Sequence, residues 1–188
     1  LLRHPEYFEQ LNDHKQLSQT RTASQLQQQA LAVIKPFLAP APASEIEPLD
    51  VLRRFQRQEL LRIGASDLLG LLDMPTVTTQ LSHLADSLVQ ACLTLSALQT
   101  QTDPRQFVVI AMGKLGVGEV NYSSDIDLIF VAEAEANRYI QLGQRLIDAL
   151  TRNTGEGFLY RVDMRLRPWG GVGALVYSVE AQLAYLQK

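Results

Sequence analysis

The stretch MGKLGVGEVNYSSDIDLIF, residues 112–130, predicts a glycine-rich loop that leads into a strand with two carboxylates at its start. Asp125 and Asp127 are two positions apart, so on a strand their side chains point to the same face. Two carboxylates this close repel each other unless a cation lies between them, and Mg²⁺ prefers such oxygen ligands. A D-x-D pair alone also fits a solvated strand end or an Asx turn, so its meaning depends on the residues around it.

The loop before this strand has the composition of a phosphate-binding turn. Gly113 and Gly116 follow a predicted strand, and glycine lets backbone N–H groups approach a phosphate closely, while Lys114 adds a positive charge. The glycine spacing matches neither a Walker loop nor a dinucleotide-binding fingerprint. Ser123 and Ser124 have two open interpretations, contact with phosphate or a role in a local turn.

A later segment, FLYRVDMRLR at 158–167, predicts a long alternating strand with a third carboxylate. Alternation places its apolar residues on one face and Arg161, Asp163, Arg165 and Arg167 on the other. Arginine binds phosphate oxygens with two parallel hydrogen bonds, so this face suits a metal ion together with a phosphate. The open alternative is a surface ladder of ion pairs that binds no ligand.

The apolar spacing divides the rest of the chain into two parts, which predicts an α+β fold. Residues 1–100 have helical spacing and form a predicted N-terminal helical domain, and residues 104–188 form a predicted α/β domain with a small mixed sheet. The predicted helices are 5–18, 22–38, 49–63, 76–98, 134–152 and 179–187, with a shorter apolar piece near 66–72. The predicted strands are 107–112, 125–131 and 158–167, and the predicted loop and linker are 39–48 and 99–105.

Composition narrows the class of protein further. The chain has 188 residues, 46% of them hydrophobic, which is typical of a packed globular protein, and its net charge of -3 argues against general nucleic-acid binding. Cys92 is the only cysteine, so an internal disulfide is impossible and a reducing cytoplasm is expected. No signal peptide or uninterrupted 18-residue apolar span is recognised, so no membrane association is expected. The first residue is Leu1, so we expect a piece of a longer protein.

The two glycine- and aspartate-bearing segments resemble one known family closely. MGKLGVGEVNYSSDIDLIF and YRVDMRLRPWGGVGALVYS (160–178) resemble signatures of glutamine synthetase adenylyltransferase, a bifunctional adenylylating and adenylyl-removing enzyme. LRRFQRQELLRIGASDLLGL (52–71) and LSHLADSLVQACL (81–93) resemble the helical segment before its catalytic core. The resemblance covers about 50–188 and implies a DNA-polymerase-β-like nucleotidyltransferase domain over 104–188. The chain departs from the family in two ways: its connection from Val131 to Arg138 is shorter than usual, and we expect the domain to be truncated before its C-terminal helices.

Within that family the chain is more similar to the adenylyl-removing half. That half tends to read N-[FY]-S-S-D-I-D and R-V-D-M-R-L-R-P, as this chain does around Asn121 and Arg161. The resemblance implies that AMP is removed from a tyrosine of adenylylated glutamine synthetase by phosphorolysis, giving ADP, in the control of nitrogen assimilation. It also implies two Mg²⁺ ions held by Asp125, Asp127 and Asp163. The residues that it implies for phosphate and nucleotide are Gly113, Lys114, Gly116, Ser123, Ser124, Arg161, Arg165 and Arg167.

The resemblance further implies partners and leaves alternatives open. The expected partners are adenylylated glutamine synthetase, phosphate, an adenine nucleotide and a PII-type signal protein, with no nucleic acid and no membrane. One alternative is the ATP-dependent adenylylating half of the same enzyme. Another is a non-catalytic regulatory module that binds a nucleotide or a signal protein, although the presence of all three carboxylates favours an enzyme.

Overall fold

The computed structural model describes residues 17–39 and 47–187. Most of the predicted helix over 5–18 and of the predicted loop over 39–48 therefore lies outside the described residues. The described elements form an α+β fold with a small mixed sheet, as predicted. The division into domains at residues 100 and 104 stays a prediction.

Three helices form the N-terminal part of the described chain. Helix α1, Ala23–Ile34, begins with a capping box between Thr22 and Gln25 and continues into a 3-10 turn, Lys35–Phe37. Helix α2, Pro48–Leu68, begins with proline, whose fixed φ suits the first helical position. Helix α3, Met74–Thr100, is capped by Asp73, whose side chain accepts a hydrogen bond from the amide of Thr76 at 3.0 Å.

Helix α2 corrects one sequence prediction. Its residues were expected to end near 63 and to be followed by a separate apolar piece near 66–72, but one helix runs through to Leu68. The segment contains Gly64 but no proline, and a single glycine inside a helix costs only about 1 kcal/mol relative to alanine. The predicted linker over 99–105 also begins later than expected, because α3 continues to Thr100.

Helix α3 lies at the centre of the core. By length and composition it is apolar enough to cross a membrane, but 72% of its most apolar 18-residue window is buried inside the protein. Leu84, Leu88 and Cys92 are fully buried, and the helix packs against both α1 and α2. A largely buried core helix can be equally long and apolar, so the finding is only weak evidence for a membrane span.

The sheet brings the glycine loop and the aspartates together. Strand β1, Phe107–Met112, runs antiparallel to β2, Ile126–Ala132. On the other side of β2, β3 (Val162–Asp163) pairs with its start and β4 (Val176–Ser178) with its end, both in parallel. The connecting elements are the 3-10 turns Pro104–Gln106, Ala136–Tyr139 and Gly170–Val172, and the helices α4 (Gly113–Gly116), α5 (Ile140–Thr151) and α6 (Val179–Leu186). As predicted, Ser178 caps α6, accepting from the amide of Ala181 at 3.2 Å.

The prediction of a long strand over 158–167 is wrong, because within this segment only Val162–Asp163 forms a strand. On one side the amides of Leu159 and Tyr160 both donate to the carbonyl of Leu150, so the chain there follows the end of α5. On the other side the chain turns, since the amide of Arg165 donates to the Asp163 side chain. The alternation of apolar and polar residues over 158–167 therefore does not correspond to a strand with one buried and one exposed face.

One hydrophobic core joins the sheet to the helices. Strand β2 is buried along almost its whole length, and Phe107 of β1 packs its ring against Phe130 with centroids 5.3 Å apart. Helix α5 contributes Leu142 and Leu146, both fully buried, and packs against α3. Asp127, near the start of β2, thus belongs to a strand that is buried in the core along most of its length.

Candidate active site

Three aspartates stand at the start of β2 and on β3. Asp127 and Asp163 are partners in the parallel register of these strands, so both side chains leave the same face, from strands about 4.8 Å apart. Asp125 lies one residue before β2, and its side chain is 49% exposed. The parallel register places Asp127 and Asp163 on one face, whereas for Asp125, which precedes the strand, the shared face stays a prediction.

Two of the three carboxylates are paired with arginines. Arg161 donates from Nε to Oδ1 of Asp125 at 2.5 Å and from Nη2 to the carbonyl of Ser123 at 3.2 Å. Arg165 donates from Nε and Nη2 to Oδ2 of Asp163, at 2.8 and 2.5 Å. The Arg165 side chain, followed by the Arg165 amide, lowers the pKa of Asp163 below its ordinary value. Both arginine side chains are exposed, at 64% and 82%.

The charges of the three aspartates act on the guanidinium of Arg165. Among residues 17–39 and 47–187, no three His, Cys, Asp or Glu side chains are gathered into a metal-binding group. The guanidinium of Arg165 nevertheless experiences all three aspartates, because its pKa is raised first by the hydrogen bond to Asp163 and further by the charges of Asp127 and Asp125. Arg165 itself contacts only Asp163 among the three aspartates, and carboxylate oxygens such as these are the donors that Mg²⁺ prefers.

The first glycine of the loop lies directly against a carboxylate. Gly113 has a φ of +53°, and a Cβ built on it would lie 2.2 Å from Oδ2 of Asp127. Gly116 is required for a different reason, since its Cβ would lie 2.8 Å from the carbonyl oxygen of Ala111. Lys114 lies between them with an exposed side chain. Gly113 therefore lies at the site, whereas Gly116 allows the tight packing of α4.

The serines before Asp125 organise a turn. Oγ of Ser124 donates to Oδ1 of Asn121 at 2.8 Å and accepts from the Asn121 amide at 3.1 Å, while the Ser123 amide donates to the same Oδ1 at 3.2 Å. This is a local side-chain-to-backbone turn, the second of the two interpretations left open by the sequence. The Ser123 carbonyl reaches the site indirectly, through Arg161.

Arg167 is not brought to the carboxylates. Its guanidinium donates to three carbonyls of its own turn, those of Met164 at 2.7 Å, Gly171 at 3.1 Å and Gly173 at 3.4 Å. These bonds hold the connection between β3 and β4, so its contacts give no support to the predicted phosphate-binding role. Of the three arginines proposed from the sequence, Arg161 and Arg165 contact the aspartates.

A cleft of about 430 Å³ opens beside Arg161. It lies between α2 and the two loops that lead to the aspartates, and Ser123 and Ser124 also line it. Tyr122 and Phe158 stand at it with nearly half of each ring exposed. The hydroxyl of Tyr122 donates to Asp67 at 3.0 Å, and burial followed by this hydrogen bond raises the pKa of Tyr122 to about 12.

Sequence reasoning missed the role of the arginines on α2. From the sequence alone, Arg53, Arg54, Arg57 and Arg62 fit a solvated helix face, but the side chains of Arg53 and Arg62 are only 1% and 6% exposed. Arg62 pairs with buried Glu59, and Arg53 donates to a carbonyl 99 residues away. The partner of Arg53 is so distant in sequence that it leaves no local signal, and the pair of Arg62 with Glu59 has the same spacing as a surface ion pair.

A family model, GlnE, described as glutamate-ammonia ligase adenylyltransferase, matches residues 1–188. The match extends over the N-terminal residues 1–49, which lie outside the segments that carried the resemblance. It also includes both signature segments, at 112–130 and 160–178, which carry the aspartates described above.

Proposed function

We propose, from the premise that the chain belongs to the glutamate-ammonia ligase adenylyltransferase family, that it removes AMP from a tyrosine of adenylylated glutamine synthetase by phosphorolysis. The family consists of nucleotidyltransferases that act on glutamine synthetase, which is glutamate-ammonia ligase. Membership therefore makes the chain part of an enzyme with that protein as its partner. The direction of transfer and the mechanism are our proposals.

The observation that carries the proposed direction is the position of Arg161. The removing reaction must hold a free phosphate opposite a tyrosyl leaving group, whereas the adding reaction must hold a triphosphate and release pyrophosphate. Arg161 supplies a guanidinium 2.5 Å from Asp125, where the transferring half of the family tends to carry glutamate. A cation at this place favours capture of a phosphate anion, and a carboxylate would repel it.

The residues of the site have distinct roles in the proposed reaction. One phosphate oxygen attacks the phosphorus of AMP in line, the new P–O bond gives ADP, and the bond to the tyrosyl oxygen breaks. Asp125, Asp127 and Asp163 would hold Mg²⁺, which would stabilise charge on the entering and leaving oxygens. Arg161 and Arg165 are exposed enough to turn from the carboxylates to a bound phosphate and bind it with two hydrogen bonds.

The leaving group places a further demand on the site. A phenol has an ordinary pKa of about 10, so its anion is a moderately good leaving group but gains from nearby positive charge. The cleft beside Arg161, with the exposed rings of Tyr122 and Phe158, offers space next to the aspartates for part of a protein substrate. Regulation by a PII-type signal protein stays a prediction of the resemblance, and a cytoplasmic location stays a prediction from the single cysteine.

Two parallel incubations with Mg²⁺ test the direction. In the first, glutamine synthetase carrying labelled AMP on tyrosine is mixed with the protein and phosphate, and label is expected in ADP. In the second, unmodified glutamine synthetase is mixed with labelled ATP, and no label is expected on protein. Transfer of label in the second incubation, with none released in the first, would assign the chain to the adenylylating half instead.

A further inference from the structure

We propose that helix α2 is a positioning element of the active site, and that Gln56 and Arg57 are its positioning residues. In this arrangement the helix fixes where Arg161 and Asp163 stand relative to Asp125. The inference rests on the proposed function only in taking these residues as the site. It assigns an active-site role to a helix that contributes no group to the reaction.

The connection between α5 and β3 is held to α2 by bonds to its main chain. Arg53 donates from Nη2 to the carbonyl of Arg152 at 2.6 Å, and Arg57 donates from Nη1 to the carbonyl of Glu156 at 3.1 Å. Gln56 donates from Nε2 to the carbonyl of Leu159 at 2.7 Å. Since all three acceptors are backbone carbonyls, these bonds define the path of the chain and not merely the position of one side chain.

Ion pairs and a hydroxyl add to the same contact. The Glu156 carboxylate accepts from Arg54 at 3.0 Å and also from Arg57, which chiefly accounts for its lowered pKa. Thr154 donates to Asp50 at 2.6 Å. The connection over 152–159 is thus tied to one helix at several points along its length.

The last of these points lies very near the site. Leu159 precedes Arg161 by two residues and Asp163 by four, and Arg161 is already bonded to β2, because its carbonyl accepts from the Ile126 amide at 3.0 Å. Gln56 is only 6% exposed, so its bond to Leu159 lies away from water. A shift of the chain at Leu159 has few residues over which to be absorbed before it reaches the aspartate.

The other approach to the aspartates is anchored on the same helices. The hydroxyl of Tyr122 donates to Asp67 near the end of α2, and the amide of Val120 donates to Oγ of Ser82 on α3 at 3.1 Å. The chain segments that lead to Asp125 and to Asp163 are therefore both hydrogen-bonded to the N-terminal helices. The distance between the aspartates thus depends on these hydrogen bonds to α2 and α3 as well as on the short pairing of β2 with β3.

Two variants and a matched control test this inference. Gln56→Met keeps the side-chain length but removes the donor, and Arg57→Gln removes the ion pair with Glu156. Arg138→Gln is the control, because Arg138 pairs with Glu135 in an exposed turn, with both side chains more than two-thirds exposed. Each variant is assayed for kcat and KM in phosphorolysis of adenylylated glutamine synthetase, and for backbone amide exchange.

For the two α2 variants we expect kcat to fall by about tenfold to a hundredfold while KM for glutamine synthetase changes by less than about threefold. Exchange of the Ile126 amide should become faster, with α3 unchanged, because that amide reports the bond between β2 and Arg161. The control should match the wild type in both measurements. Retention of kcat, or faster exchange spread evenly over the chain, would overturn the positioning role and leave α2 as a general stabilising element.

The exchange measurement separates this inference from the proposed function. If the wild-type protein shows no phosphorolysis, the proposed function fails, but the variants still report on the segment itself. Faster exchange confined to Ile126 and residues 159–163 would then support positioning by α2. Unchanged exchange there would overturn it independently of any activity.

Discussion

Replacing Gly113 by alanine should separate the stability of the site from its activity. A Cβ at this position would lie 2.2 Å from Oδ2 of Asp127, so the two atoms must separate by about 0.8 Å to reach a 3.0 Å contact. The Asp127 carboxylate is the end of a side chain and can rotate, whereas the backbone of Gly113 is fixed by its place between β1 and α4. We therefore expect the aspartate to move.

The expected cost in stability is small. Alanine at a φ of +53° destabilises the folded protein by about 1–2 kcal/mol through backbone strain. Because alanine also has less conformational freedom than glycine in the unfolded chain, the substitution stabilises the folded state by about 0.4–1 kcal/mol. The free energy of unfolding should fall by about 1 kcal/mol. Turnover should fall by about a hundredfold, because a displacement near 1 Å at a reacting centre has an effect of that size.

Gly118 provides the matched control on the same loop. Its φ is +74°, but a Cβ built on it meets nothing within 4 Å. Gly118→Ala should lose about the same stability in urea denaturation and keep turnover within about threefold of the wild type. If Gly113→Ala is as active as Gly118→Ala in the labelled-AMP assay, close contact with Asp127 is not required and the reasoning fails.

Three further changes give expected outcomes of different kinds. Asp127→Asn is nearly isosteric, so turnover should be abolished with a change in unfolding free energy below about 1 kcal/mol; near-normal turnover would contradict the metal-binding role. Glu156→Gln should lower the free energy of unfolding by about 1 kcal/mol or less at neutral pH. Because a carboxyl with a lowered folded pKa stabilises the protein only while it is ionised, urea titrations should show the difference between variant and wild type vanish as the pH falls below 4.5. A difference that persists in acid would exclude the ion pair as its cause. Tyr177→Phe should lower the unfolding free energy by about 1–3 kcal/mol, because its buried hydroxyl donates to Pro168 and accepts from the Ala174 amide; an unchanged urea midpoint would mean that these bonds contribute nothing net.

The sequence predicted the elements of the fold best where a local pattern coincides with burial. The D-x-D strand was placed within one residue, because its apolar residues face a core on both sides and its neighbours are glycine and turn residues. The capped helix α3 was also recognised, since Leu84 and Leu88 repeat with helical spacing along a buried stripe. In each case the information lies within a few residues along the chain.

The prediction failed where the deciding contacts are distant. The alternation over 158–167 looked like a strand, but hydrogen bonds from this segment to Leu150 and from α2 to Leu159 leave only Val162 and Asp163 in the sheet. Likewise, Arg165 and Arg167 lie on the same face of the predicted strand, but Arg167 points into its own turn. The residue types of the candidate site could be predicted, whereas the partner of each arginine depended on the tertiary fold.

The central position of α3 has a consequence for how the molecule folds. This helix packs against α1 and α2 and also against α5 of the sheet-bearing part. A helix shared in this way cannot leave one half without uncovering apolar surface on the other, so the helices and the sheet should melt in one cooperative transition. A segment beginning at residue 104 would lack α3, and on its own we expect it to aggregate instead of folding.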